Sequence, residues 1–426
     1  MKYFFILGNN PALSVAEIIN VLGAEGKIKL LAGNILIIEN PAIDAKKLIR
    51  RLGGTIKIGI VATEANRHQN EEIKEKILKI LETDLAEKET AGKYCFGFSY
   101  YGQSGLPVFP IGLNLKKILK QKGKNCRLVT SREKTLSSVV VEQNNLTTRG
   151  LEIVLIEEGE TLYICRTEAV QAFKELSFRD FGRPERDDAS GMIPPKLAQI
   201  ILNLSGKILC YGEQGETGRT NLKITSSSLK TPSFNDIVLL DPFCGSGTIL
   251  MEAALLGVKN IVGSDISAKA ILDTKKNLNW LQKNNSDLKF PIPNFQFLNL
   301  PVEKISSAVP ERSVDAIVTE PYLGPQRGNF DPVKNKIDLE KLYSAALAEF
   351  KKVLKPDGRI VIIFPVRAEG QRPDFHFLNP SMKGWQVINP IPPELQKNLH
   401  TTRRGTIVYG RPGQKVWREI VILKSK

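Results

Sequence analysis

Apolar positions recur along the chain at two spacings, one strand-like and one helical. Strand-like runs cover Lys2–Leu7, Lys27–Leu31 and Ile35–Glu39, the last two joined as a hairpin by Ala32-Gly33-Asn34. Helical spacing fills Ala12–Leu22, after Asn10-Pro11 supplies a cap and a first-turn proline. Asn40-Pro41 opens a second helix that ends at Gly53-Gly54, and Thr55–Ala62 is a further strand. Residues 64–71 are polar and read as a linker. The pattern then predicts a helix over Glu71–Leu81, a strand at Tyr94–Tyr100 and a helix near Leu113–Lys122. Strands follow at Cys126–Thr130, Leu151–Glu157 and Thr161–Arg166.

The first six elements, over residues 1–63, have the order βαββαβ, which is ferredoxin-like. A boundary falls in Ser177–Leu204, charged and turn-rich at first, then helical after Pro194-Pro195. Residues 205–236 are rich in Ser, Thr and Gly and read as a mobile insertion. Within them GEQGETGRT imitates a phosphate loop, but Arg219 stands where a lysine is needed and no helix follows. From 237 strands alternate with helices, as in parallel α/β folds. The strands are Ile237–Leu240, Asn260–Asp265, Phe295–Leu298, Ala316–Thr319 and Arg359–Phe364. A terminal hairpin pairs Gly405–Gly410 with Val416–Leu423. The helix Leu339–Leu354 is stopped by Lys355-Pro356-Asp357-Gly358.

Composition narrows the class. A chain of 426 residues with 42% hydrophobic content is sized for two or three globular domains. No stretch approaches the roughly 20 apolar residues that span a bilayer. The opening MKYFFILGNNPALSVAEI is too short in its apolar run for a signal peptide, so a cytoplasmic protein is expected. Five cysteines without a CxxC pair and three scattered histidines argue against a disulfide framework or a metal site. The net charge of +15 favours a polyanionic partner, most often nucleic acid. Lys116, Lys117, Lys120, Lys122, Lys124, Arg127, Arg132 and Lys134 form a basic run with little acid. A nucleic-acid face and a solvated helix surface explain that run equally well.

The chemistry concentrates after residue 237. In LLDPFCGSGTILMEAALLG the first strand ends in Asp241, and the turn Cys244-Gly245-Ser246-Gly247 enters a helix at Thr248. Glycines bring backbone close to a ligand, and a helix N-terminus faces it. Leu250 stands where a dinucleotide fingerprint has its third glycine, and a carboxylate before the turn would repel a pyrophosphate. Asp241 suits a ligand with a cationic end, as in S-adenosylmethionine. Asp265 ends the second strand, twenty positions after Gly245, where an acid accepts ribose hydroxyls; capping the next helix is the competing role. Ile266 is placed to pack on an adenine, and Asn299 to bind its amino group. The fourth strand runs into Thr319-Glu320-Pro321-Tyr322-Leu323-Gly324, which puts Glu320 and Tyr322 at the ligand crevice. A carboxylate there accepts hydrogen bonds from an amine, and Tyr322 offers a stacking face.

DPFCGSGTILMEAA, GSDIS, TEPYLG and RDFGRPERDDASGMIPPKLAQI together resemble the tRNA guanosine-N2 methyltransferases of the guanosine-10 type. The resemblance implies a ferredoxin-like segment at 1–63, a THUMP-like RNA-binding domain at 64–175 and a Rossmann-like methyltransferase domain at 176–426. That last domain would hold a mostly parallel seven-stranded sheet with a C-terminal antiparallel hairpin. It further implies that Asp241, Gly245 and Gly247, with Cys244 and Thr248 in the same turn, hold the methionine part of S-adenosylmethionine. Asp265 would take the ribose, and the helix around Pro195 and Lys196 would close over the cofactor. Glu320, Pro321 and Tyr322 would form the catalytic segment, and tRNA or another structured RNA would be the partner. The family's fourth motif is Asp or Asn, Pro, Pro, aromatic, so Glu320-Pro321-Tyr322-Leu323 departs from it. DNA amino-methylation, or RNA binding without catalysis, are the rival readings.

Overall fold

The computed structural model describes residues 1–23, 26–40, 42–88, 92–187, 191–206, 237–284, 293–325, 330–369 and 374–426. These form two compact units, Met1–Val15 with Leu22–Lys174, and Ala16–Val21 with Glu175–Lys426.

Runs of β-branched and aromatic residues build the first unit around a sheet. Its elements are β1 (Lys2–Leu7), the two ends of α1 (Pro11–Leu22), β2 (Lys27–Ala32), β3 (Ile35–Glu39), α2 (Ala45–Arg51) and β4 (Thr55–Asn66). They continue with α3 (Asn70–Glu87), β5 (Tyr94–Tyr101), α4 (Val108–Gln121), β6 (Cys126–Val129), α5 (Ser138–Gln143), β7 (Leu151–Glu158) and β8 (Thr161–Val170). The eight strands make one sheet in the order β2-β3-β1-β4-β8-β7-β5-β6. β4 outruns its expected end because its backbone finds a partner: Lys57–Asn66 pairs antiparallel with Thr161–Val170 of β8. Residues 64–66 are therefore strand rather than linker, and α3 already begins at Asn70. In the middle of the sheet the buried Lys57 ammonium donates to Glu152 Oε1 at 2.5 Å and to the Leu136 carbonyl at 2.7 Å. The hydroxyls of Ser99 and Thr167 also donate to Glu152, both at 2.6 Å, so each member of this buried charge pair has polar partners beyond the other. Helix α4 buries Ile111, Leu115 and Leu119 and leaves Phe109, Leu113, Lys117 and Lys120 exposed.

The second unit takes in most of α6 (Phe173–Phe181), then α7 (Pro195–Leu204), β9 (Val238–Asp241), α8 (Thr248–Leu255), β10 (Asn260–Asp265), α9 (Ala268–Asn284) and β11 (Asn294–Asn299). After these come β12 (Val314–Thr319), α10 (Pro332–Val353), β13 (Leu354–Glu369), β14 (Asp374–Phe377), β15 (Trp385–Val387), β16 (Ile407–Tyr409) and β17 (Val416–Ser425). The sheet runs β11-β10-β9-β12-β13-β17-β15, with β14 on β13 and β16 on β17. Strands β9 to β13 are parallel; β17 is antiparallel to β13, and β15 to β17. The fold is thus a methyltransferase-like α/β fold with a mixed sheet. Chain order reverses beside β9, whose neighbours are β10 and β12, so a crevice opens at the carboxyl ends of these strands. The core on one face gathers Leu240, Ile317, Tyr343, Phe350, Ile360 and Phe364.

Helix α10 starts earlier than its apolar spacing suggests, because Asp331 caps it by accepting from Val333 and Lys334 N–H. The Lys355–Gly358 breaker does end the helix, and there the β12–β13 register shifts. The insertion expected at 205–236 lies, from 207 onward, outside the described residues. Among the described residues no helix is long and apolar enough to cross a membrane.

Candidate active site

A cavity of about 550 Å³ opens at the carboxyl ends of β9, β10 and β12, within the size range of small-molecule sites. Asp241, Cys244, Gly245, Thr248, Asp265 and Ile266 line it, and so do Glu320, Pro321 and Tyr322. The structure therefore brings together the strand-end acids, the glycine turn and the altered fourth motif. Gly247, Asn299 and Pro195 lie outside the lining, each with another place.

The glycine turn is shaped by φ values that favour glycine, +51° at Gly245 and +86° at Gly247. A Cβ on Gly245 would meet nothing within 4 Å, whereas one on Gly247 would lie 2.9 Å from Thr274 Cγ2. Gly247 is thus a packing glycine at the start of α8. The turn is braced from α9. Thr274 Oγ1 donates to the Gly245 carbonyl at 2.8 Å, and Asn277 Nδ2 to the Ser246 carbonyl at 2.8 Å. Burial pushes the Cys244 thiol well up, so it is an inert wall rather than a nucleophile.

The two strand-end acids differ in setting. Asp241 is fully buried; Thr319 Oγ1 and the Phe243 N–H donate to its Oδ1 at 2.7 and 3.2 Å. Burial, with the nearby Asp265 and Glu320 charges adding to it, raises its pKa to about 7. A cationic ligand end would reverse that shift. Asp265 Oδ2 accepts from Gly245 N–H at 3.0 Å and Oδ1 from Ser267 N–H at 2.9 Å. Ser267, not Asp265, reaches into the first turn of α9, accepting from Ala270 N–H at 3.3 Å. Each Asp265 oxygen keeps acceptor capacity on the cavity side. Ile266 is 75% exposed there, an apolar side chain without cover. Asn299 Nδ2 donates to the carbonyls of Asp265 and Ile266, both at 3.0 Å, and so holds this loop in place.

On the β12 side Glu320 is ion-paired. Arg418 of β17 donates through Nε to Oε1 at 2.5 Å and through Nη2 to Oε2 at 3.4 Å. Tyr322 is 53% exposed on the cavity wall, and its carbonyl accepts from the buried Tyr343 hydroxyl at 3.2 Å. The Pro325 carbonyl accepts from Arg367 at 3.2 Å.

Pro195 is the buried first residue of α7, and its neighbours Met192 and Ile193 reach the cavity instead. Ahead of them, Arg179 of α6 makes a buried two-point pair with Glu252 of α8, at 2.7 and 3.1 Å. Arg183 donates to the Thr248 hydroxyl; the Glu185 N–H donates to Asn277 Oδ1, and the Glu185 carbonyl accepts from Asn277 Nδ2. Sequence reasoning missed these braces and Arg418. One signal existed: Glu252 sits inside the apolar run TILMEAALLG, and a buried acid needs a cation.

Together the site offers a carboxylate for a cation, a second for vicinal hydroxyls, an apolar shelf and a backbone cradle. Residues 231–371 match the family model described as an RMKL-like methyltransferase domain. The tRNA (guanine(10)-N2)-dimethyltransferase of Methanothermobacter thermautotrophicus is 30% identical over 155 residues, 36% of this chain and 34% of that protein. The match spans about a third of the length of the first such curated relatives. A probable tRNA (guanine(10)-N2)-dimethyltransferase of Methanothermococcus thermolithotrophicus is 30% identical over 29% of this chain and 67% of its own length. Among solved structures, TrmN from Thermus thermophilus aligns over the whole of both chains with 16% identity and a TM-score of 0.48. Through the domain in its second unit, the chain belongs to the RMKL-like methyltransferase family.

Proposed function

We propose that this protein transfers a methyl group from S-adenosylmethionine to an exocyclic amine of a nucleobase in RNA, namely N2 of guanosine in tRNA. One observation carries the reading: the Asp241–glycine-turn–Asp265 cradle and the Glu320-Pro321-Tyr322 segment share one cavity. The donor set fits the cofactor. Asp241 would hold its amino group, Asp265 its ribose hydroxyls, Ile266 its adenine, and the Gly245 turn would admit it closely. When bound, it supplies an electrophilic methyl on a sulfonium centre. The chain's residues do the rest. Tyr322 stacks the target base, and Glu320 accepts N–H bonds of the amine and favours a pyramidal nitrogen. Holding both partners in line supplies much of the acceleration. A base within a helix must be flipped out to reach Tyr322.

The tRNA target rests on the names of the curated relatives and on the charge of +15. We assign RNA docking to the first unit, in keeping with a THUMP-like domain at 64–175. There Leu113, Lys116, Lys117 and Lys120 line a shallow hollow on α4, a mix of apolar and cationic groups suited to nucleic acid. Incubation of the full chain with methyl-labelled cofactor and bulk tRNA, DNA or no nucleic acid tests the reading. Label in tRNA alone supports it. Label in DNA moves the protein to the DNA amino-methyltransferases, and cofactor binding without transfer leaves an RNA-binding protein.

A further inference from the structure

The Glu320–Arg418 pair is unexplained by cofactor binding. Its side chains are only 9% and 11% exposed, and it is set 98 positions apart in the chain. Arg418 sits on β17 opposite Pro365 of β13 and Tyr409 of β16, and its guanidinium reaches Glu320 at the end of β12. A guanidinium is permanently charged and presents a planar fork, so it both neutralises a carboxylate and fixes its orientation. The cavity lining is acidic, with Asp187, Asp241, Asp265, Asp273, Glu303 and Glu320 against Lys269, so without Arg418 the Glu320 charge would stand unbalanced among like charges. The other titratable groups acting on the pair are the Tyr343 hydroxyl of α10 and Tyr409. Burial works against the Arg418 charge, and the Glu320 carboxylate outweighs it.

We propose that Arg418 is the positioning residue of the acceptor pocket. It holds and charge-balances Glu320, so that the pocket takes a neutral N–H donor of the exocyclic-amine class and excludes an ammonium group. This rests on Glu320 being the amine acceptor. With one lone pair of each oxygen committed to Arg418, the remaining ones serve the substrate in a fixed direction. A bare carboxylate would instead draw protonated amines. The pair also accounts for glutamate in place of the family's aspartate. A shorter Asp at 320 would draw the carboxylate back from the Arg418 fork by about one carbon–carbon bond, ~1.5 Å.

The test uses the full chain as wild type, Arg418→Met, Arg418→Lys, Glu320→Gln and Arg418→Met/Glu320→Gln, each checked by thermal melting. The first readout is S-adenosylhomocysteine affinity by calorimetry from pH 6 to 9. Arg418→Met strips the charge that balances Glu320, whose carboxylate acts on Asp241, so the midpoint at which affinity rises moves to higher pH, and adding Glu320→Gln returns it. A midpoint unchanged in Arg418→Met overturns the charge balance. The second readout is methyl transfer to tRNA. Arg418→Met loses kcat by about 10- to 100-fold with little change in KM. Arg418→Lys recovers part of that loss, and the Arg418→Met and Glu320→Gln losses are not additive. Additive losses, or transfer to poly-lysine by the wild type, overturn the proposal. Absence of any transfer by the wild type refutes the proposed function itself, and the calorimetry still decides whether Arg418 balances Glu320.

Discussion

Asp241 and Asp265 end adjacent strands and line the same cavity, yet Asp241 is almost wholly buried and bonded to Thr319 Oγ1, while Asp265 is partly exposed. The buried Asp241, with its pKa raised to about 7, makes two predictions. On the proposed reading cofactor binding needs it ionised, so affinity for S-adenosylhomocysteine should rise from pH 6 and level above about 8, with protons released on binding at pH 6. In the unliganded protein the sign runs the other way for stability. The folded pKa lies above the ordinary carboxylate value, so this group's stabilising contribution is complete below about pH 4 and is lost as pH rises through about 7. Urea midpoints at pH 5 and 8 check this: the wild type loses more on raising the pH than Asp241→Asn does. Asp265→Ala lowers cofactor affinity by roughly tenfold or more, through lost bonds to a charged acceptor. It also frees the Gly245 and Ser267 N–H groups. Calorimetry on folded Asp265→Ala showing wild-type affinity would leave Asp265 a loop brace only. These acids and the glycines were legible because each lies in a short contiguous motif beside a strand. Arg418 was not, because nothing local marks a cation whose partner stands on a different strand far back in the chain.

The glycine turn, as an element, separates packing from ligand access. Gly247→Ala sets a Cβ against Thr274 at a positive φ and costs about 1–3 kcal/mol of stability. Gly245→Ala meets open space, so it should cost less stability and more cofactor affinity. Denaturation and calorimetry on the two variants check this, and equal profiles would remove the distinction. Helix α6 shows where local pattern misleads. Its charged stretch reads as turn, but Leu176 and Arg179 are buried, and the Arg179–Glu252 pair fixes it to α8. Arg179→Met should destabilise by about 3–5 kcal/mol, since it strands a buried carboxylate. The short elements α5, β14 and β15 also escaped the reading, being too brief for a period to register. The parallel strands β9, β10, β12 and β13 were legible because each carries a short apolar run ended by a turn or a chemical residue, and β11 through its alternating Phe295 and Phe297, with Leu298.

At the scale of the whole molecule the hardest feature to read was the continuity of the first sheet. Pairing of β4 with β8 joins segments about a hundred residues apart, and no local period encodes such a contact. The division of labour is testable in the intact chain. Lys116→Glu, Lys117→Glu and Lys120→Glu together should weaken tRNA binding and flatten its salt dependence, through fewer released counterions, with cofactor affinity unchanged. Unaltered tRNA affinity would take RNA docking away from α4. The central claim is the chemistry, and nucleoside mass spectrometry of tRNA methylated by the full-length protein tests it most directly. The account predicts N2-methylated guanosine in wild-type reactions, lost with Glu320→Ala while cofactor affinity persists. Methylated adenine or cytosine, or guanosine methylation that survives Glu320→Ala, would contradict it.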